Sequence, residues 1–324
     1  MRNPKWRMLR ISNFVVWRYY SSVNLAQTIC GIPFRNPTVL ASGIWGVTAS
    51  SWKRVAEHGA GGVTTKSLWL HEHKGHPNPT IISTEYWTLN AVGVPDAGIE
   101  KAREEIHSYM QNHPVPLIAN VIAESVEDYA KVAEAILALK PDFLEVNISC
   151  PNVKAGCAAF GADSATAAQV TVKVRKATSL PVWVKLTPDT ADIVGIAAAV
   201  ADAGADAIVL INTLKGMAID TRTRRPVLGN VTGGLSGPAI KPIALRMVYE
   251  VAGAIQDVPL IGSGGIMTAD DAIEFFLAGA SAVQIGTANL INPRAPVEIL
   301  NGIKAYLQKE GLTNIQELVG AIRK

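Results

Sequence analysis

From Thr38 onward, short β-branched runs alternate with longer segments of helical period, the pattern of repeated βα units on a parallel sheet. Eight runs are predicted as strands: residues 38–42, 62–66, 117–121, 143–147, 182–186, 207–211, 259–263 and 282–286. Between them, Ile193, Ile196, Ala197 and Val200 fall at i, i+3, i+4 and i+7, and Ile273, Phe276 and Leu277 repeat the stripe, so these segments are predicted to be helices burying one face. Gly59, Gly204 and Gly279 each stand just before an apolar strand, where a left-handed residue closes a helix. Thr268 with Asp271 resembles a capping box, with Asp in place of the usual Glu or Gln. The order predicts an α/β chain folded as one domain, a (β/α)8 or TIM barrel. Residues 67–90 and 213–237, rich in Gly, Pro, Asn and Thr, read as long loops, which in a compact domain are usually functional.

Composition agrees with one barrel of roughly 250 residues plus extensions: the chain has 324 residues, 48% of them hydrophobic. The net charge of +3 is too small to predict nucleic-acid binding. Three cysteines, Cys30, Cys150 and Cys157, show no metal or cluster spacing and predict a reducing, cytoplasmic setting. No apolar run approaches the roughly 20 residues that span a bilayer. Residues 1–23 differ from the rest, with five Arg or Lys and no acidic residue. A targeting peptide and a membrane-surface helix are both open, but the preferred reading is a disordered or mis-called leader, with the domain running from 24 to 324.

Barrel active sites lie at the C-terminal ends of the strands. Here those ends are Ser42, Lys66, Asn120, Asn147, Lys185, Asn212, Gly264 with Gly265, and Gly286 with Thr287. Singly, such residues are ordinary turn formers; converging on one rim, they predict a ligand site. IGSGG (261–265) and QIGTA (284–288) follow the seventh and eighth strands, where barrels commonly hold a phosphate, and GGLSGP (233–238) could add donors. Lys66 and Lys185 end apolar strands, and each calls for an anion; a structural ion pair with Glu145 is the alternative. Cys150 sits just beyond the fourth strand, between Asn147 and Asn152, and a free thiol needs only a modest shift to serve as a base near neutrality. His71, Glu72, His73 and His76 form a loop cluster without a further ligand set, so no metal is expected. Trp45, Trp69 and Trp87 lie in or near rim loops, either covering a ligand or packing.

Taken in order, CGIPFRNP, LASG, GGVTTKS, NAVG, NISCPNV, VKLTP, INT, GGLSGPAIKPIAL, GSGGI and QIGTA resemble the class 1 dihydroorotate dehydrogenases over nearly all of residues 24–324. The resemblance implies an FMN enzyme that oxidises dihydroorotate to orotate in pyrimidine biosynthesis, with Cys150 as catalytic base. It implies that Lys66, Asn90, Ala91, Val92, Gly93, Val94, Asn147, Asn152, Asn212 and Thr213 surround the substrate. It implies that Ser42, Lys66, Ser67, Asn120, Asn147, Lys185, Ile211, Gly237, Gly264, Gly265, Gly286 and Thr287 hold FMN. NAVG is most similar to the class 1B catalytic subunit, which implies a homodimer or a heterotetramer with a separate FAD and iron–sulfur (2Fe-2S) subunit passing electrons to NAD.

Two departures stand out. Gly93-Val94-Pro95-Asp96 replaces the family's GLQN or GLPN, and Ile44-Trp45 stand where Thr and an aromatic are usual. An aspartate near a site for an acid either points away or signals another substrate. The rival readings are a flavoenzyme resembling dihydropyrimidine dehydrogenase, acting on uracil or thymine, and a non-catalytic FMN-binding barrel. Asn152, where that first family tends to have His, argues against the former, and Cys150 with Lys66 argues against the latter.

Overall fold

A computed structural model describes residues 5–11, 14–20, 23–149 and 160–322. Eight parallel strands close into a barrel: β1 (Thr38–Leu40), β2 (Gly62–Thr64), β3 (Leu117–Val121), β4 (Phe143–Asn147), β5 (Val182–Lys185), β6 (Ala207–Leu210), β7 (Leu260–Ser263) and β8 (Ala280–Ile285). Each lies beside its neighbour in sequence, and β8 pairs with β1. All eight predicted runs are strands, with ends moved by at most two residues.

Each strand is followed by a helix on the outside: α1 (Ala49–Glu57), α2 (Ile99–Met110), α3 (Val126–Leu137), α4 (Ser164–Ala177), α5 (Ile193–Asp202), α6 (Lys241–Ala254), α7 (Ala269–Ala278) and α8 (Ala295–Glu310). α5 buries Ile193, Ile196, Ala197 and Val200, the predicted stripe. α7 starts in a full capping box, Thr268 accepting from the Asp271 N–H while the Asp271 carboxylate accepts from the Thr268 N–H. A carboxylate therefore does at that position what Glu does elsewhere. Gly59, Gly204 and Gly279 have φ of 104°, 97° and 118°, as their place at helix ends requires.

Strand period 2 sorts the barrel interior into layers. Along β4, Phe143, Glu145 and Asn147 point the same way, as do Trp183 and Lys185 along β5. The lower layer is apolar: Phe143 and Trp183 pack at 4.8 Å between ring centroids, and Phe34 lies 5.6 Å from Phe143. Phe34 comes from a hairpin, Gln27–Ile29 with Ile32–Phe34, which plugs the barrel floor. With the floor filled among the described residues, the open end is the other one, where the strand residues turn polar.

The long-loop expectation needs correction. Residues 67–90 and 213–237 contribute Ile81–Ser83, Thr88–Asn90, Leu214–Met217 and Thr232–Ser236, which join as a four-stranded antiparallel sheet beside the barrel mouth. All four strands are short, two of them contain glycine, and the pairing that joins the two segments, Thr88–Asn90 with Gly234–Ser236, spans 144 residues from Asn90 to Gly234 and lies outside any local pattern. In the leader, Lys5–Ile11 and Phe14–Tyr20 pair antiparallel in a two-stranded sheet of their own. Among the described residues, no helix is long and apolar enough to cross a membrane.

Candidate active site

The barrel mouth opens into a cavity of about 380 Å³. Every predicted strand-end residue lines it: Ser42, Lys66, Asn120, Asn147, Lys185, Asn212, Gly264, Gly265, Gly286 and Thr287. Ser67, Asn90, Val92, Gly93, Val94, Ile211 and Thr213 line it as well. Two predicted residues do not. Ala91 is fully buried, packs near Leu89 and Leu228, and already engages Thr80 through its N–H and His76 through its carbonyl. Gly237 is buried with φ 87°, and a Cβ there would lie 3.3 Å from the Trp87 backbone; it shapes the turn before α6 rather than the wall. Cys150, Asn152 and Cys157 lie outside the described residues.

One wall is a hydrogen-bonded set of amides and hydroxyls. The Asn147 Oδ1 accepts from the Ser149 hydroxyl at 2.9 Å and from Asn212 Nδ2 at 3.2 Å, while Asn147 Nδ2 donates to Ser67 at 3.3 Å. Asn212 Nδ2 also reaches the Ser149 hydroxyl at 2.9 Å. From behind, the buried Tyr129 hydroxyl of α3 donates to the Asn147 carbonyl at 2.7 Å and fixes the end of β4. Amides held this way present donors and acceptors in one plane, suited to the edge of a flat heterocycle.

Lys66 stands on the same rim, half-buried, and its ammonium donates to the Pro95 carbonyl at 2.5 Å. Burial lowers its pKa from the ordinary lysine value, and the Asp96 carboxylate opposes that shift. Asp96 itself points away from the cavity, accepting from the Trp69 N–H at 3.0 Å and the Gly98 N–H at 3.1 Å. Its departure from the usual sequence thus adds charge behind Lys66 without adding an acid to the wall.

Deeper lies a layer that the sequence reading missed in part. Lys185 donates to Gln284 Oε1 at 2.9 Å, Gln284 Nε2 donates to Glu145, and Asn120 Nδ2 donates to the other Glu145 oxygen at 2.5 Å. Lys185 and Glu145 are 3.9 Å apart, so the ion pair with Glu145 exists and Lys185 still faces the cavity. Gln284 was legible only as the first letter of QIGTA. Its signal was a polar residue in an otherwise apolar strand, at the height of Glu145 on the far side of the barrel.

The glycine turn after β7 forms the third wall. Gly264 and Gly265 have φ of 120° and 76°, and a Cβ on Gly265 would lie 2.6 Å from the Cβ of Lys241. Lys241 is itself held by Asp271 at 2.7 Å and Glu274 at 2.9 Å. Gly286 precedes the short helix Thr287–Ile291, and the Thr287 hydroxyl donates to Ser236 at 2.9 Å. Apolar side chains not named from sequence as site residues, Val47, Ile240, Ile266, Met267 and Leu290, add to the lining, as does Ile44.

The aromatic and histidine clusters resolve into packing. Trp69 is buried and stacks on His73 at 4.3 Å, and its indole N–H donates to the Val94 carbonyl. Trp87 packs behind the small sheet with Leu89, and Trp45 is partly exposed with its N–H on the Asn289 carbonyl. Among the described residues, no group of three His, Cys, Asp or Glu is placed to hold a metal ion.

Comparison of the sequence with known proteins agrees with this arrangement. The model of dihydroorotate dehydrogenase matches residues 24–307. The dihydroorotate dehydrogenase B (NAD(+)) catalytic subunit of Alkaliphilus metalliredigens is 45% identical over 302 residues, covering 93% of this chain and 100% of that protein. The proteins of the same description from Pelobacter propionicus and Geobacter sulfurreducens are each 48% identical, covering 93% and 92% of this chain and 98% of themselves. The chain belongs to the dihydroorotate dehydrogenase family.

Proposed function

We propose that this chain is the catalytic subunit of an NAD-linked dihydroorotate dehydrogenase, oxidising dihydroorotate to orotate in pyrimidine biosynthesis with FMN as its resident cofactor. The observation that carries this reading is the convergence of Lys66, the Asn147–Asn212 amide set and the Gly264-Gly265 turn on one cavity. The residues fit FMN: Asn120 Oδ1 is buried with no partner among the described residues and calls for a donor from a ligand. Lys185 supplies a buried cation, and the tight glycine turn leaves room for a phosphate against the backbone.

When bound, FMN supplies the acceptor for the hydride leaving C6 of the substrate. The chain's own residues do the rest. Lys66 meets the substrate carboxylate, and Asn90, Asn147, Asn152 and Asn212 orient the pyrimidine by its edge. Cys150, three residues beyond the end of β4 in sequence, takes the proton from C5. Ser42, Ser67, Lys185, Ile211, Gly264, Gly265, Gly286 and Thr287 hold the cofactor.

A separate subunit carrying FAD and a 2Fe-2S cluster would take the electrons onward to NAD: this chain's three cysteines have no cluster spacing, and its relatives are described as catalytic subunits. A homodimer joined by two such partners, acting in the cytoplasm, completes the reading. Residues 1–23 stay outside the catalytic unit; the family match begins at residue 24. Titration of the purified, flavin-loaded chain with orotate, uracil and fumarate tests the substrate class. Orotate alone is expected to perturb the flavin spectrum at low concentration; perturbation by uracil and not orotate contradicts the reading.

A further inference from the structure

Beneath the cavity lies a charged group that the proposed chemistry leaves unused. Glu145, at the centre of β4, is fully buried and does not line the cavity, whereas Asn120, Lys185 and Gln284 all do. Lys185 Nζ lies 3.9 Å from Glu145 Oε1 and donates to Gln284 Oε1 at 2.9 Å. An ammonium can only donate, so this contact fixes the Gln284 amide and turns its Nε2 toward Glu145 Oε2. Asn120 Nδ2 donates to Oε1. Both oxygens therefore accept, the pattern of a carboxylate, and the negative charge sits one residue behind the cavity wall. The same two bonds set the direction of both amides, leaving Asn120 Oδ1 buried and without a partner among the described residues.

Resting on the FMN reading above, we propose that Glu145 is a positioning residue that aims Lys185 and Asn120 at the flavin ring and offsets the lysine charge there. A cation beside a flavin favours the reduced, more negative form, and in a buried layer a carboxylate at this distance counters it. Glu145 thereby holds the flavin potential below the value Lys185 alone would set.

The midpoint potential of the bound flavin, read against a reference dye, tests this without turnover. Glu145→Gln keeps the shape and removes the charge. It should move the reduced-to-oxidised ratio at fixed potential at least tenfold toward reduced, about 30 mV for a two-electron couple. Lys185→Met should move it the opposite way, and the double variant, lacking both charges, should return close to wild type. A mere packing role would not produce that ordering. If Glu145→Gln does not accumulate, Lys185→Met and the double variant carry the same comparison, the double lying higher by the same margin. Fully loaded variants with the wild-type potential overturn the proposal; a chain that takes up no FMN overturns the reading of the site, and this proposal with it.

Discussion

The Trp69 backbone N–H donates a 3.0 Å hydrogen bond to the Asp96 carboxylate, and so Asp96 turns its charge toward the protein while its neighbour Pro95 offers a carbonyl to Lys66. Because burial lowers the Lys66 pKa from 10.5 and Asp96 only opposes the shift, the cation is lost below the ordinary lysine range. Affinity for an acidic ligand should then fall as pH rises, with its midpoint under 10.5. Asp96→Asn keeps an oxygen acceptor for both N–H groups and removes the opposing charge. Orotate difference spectra across alkaline pH should show that midpoint moving further down in Asp96→Asn; an unmoved midpoint would remove Asp96 from the account.

The barrel was legible because its signals are local: β-branched runs, a 3.6-residue stripe on α5, and glycines at helix ends each depend on neighbours in sequence. The strand ends were legible for the same reason, since barrel topology tells which end carries the site. Glu145 was legible only as an ion-pair partner for a strand-end lysine and Gln284 only as part of QIGTA, because their contact exists only once β4 and β8 face each other across the barrel. The small sheet was missed because Asn90 pairs with Gly234, a contact no local window contains. Asp96 was visible as a departure, but only its hydrogen bonds to Trp69 and Gly98 tell which way it points.

The start of α7 supports the glycine turn, and its stability should depend on acid. Burial acts to raise the Asp271 pKa, but hydrogen bonds from Lys241, Met267 and Thr268 outweigh it and hold the carboxyl below its ordinary value. A group depressed in the folded state contributes stability above its unfolded pKa of about 3.8, lost as pH falls through the folded value. Replacing Asp271 with Ala should cost about 1–3 kcal/mol at neutral pH. The gap from wild type, measured by urea unfolding, should close in strong acid; a gap independent of pH would contradict the ionic part.

At Gly265 the expected defect is in cofactor binding more than in fold. A Cβ there meets the Lys241 backbone N at 2.7 Å as well as its Cβ, at a φ of 76° that disfavours any side chain. Gly265→Ala should be purified with a clearly lower ratio of flavin to protein absorbance. Gly253→Ala, where a Cβ meets nothing within 4 Å, serves as the control and should keep its flavin. Equal loading of the two variants would separate the turn from the cofactor.

Anaerobic stopped-flow mixing of the flavin-loaded chain with dihydroorotate tests the proposed reaction and its base together. Wild type should bleach its flavin with dihydroorotate and not with dihydrouracil. Cys150→Ser, which replaces an ionisable thiol with a hydroxyl, should bleach about 10²–10⁴-fold more slowly while still binding orotate. Bleaching of Cys150→Ser at the wild-type rate near neutral pH, or a wild-type flavin that dihydroorotate leaves oxidised, would contradict the account.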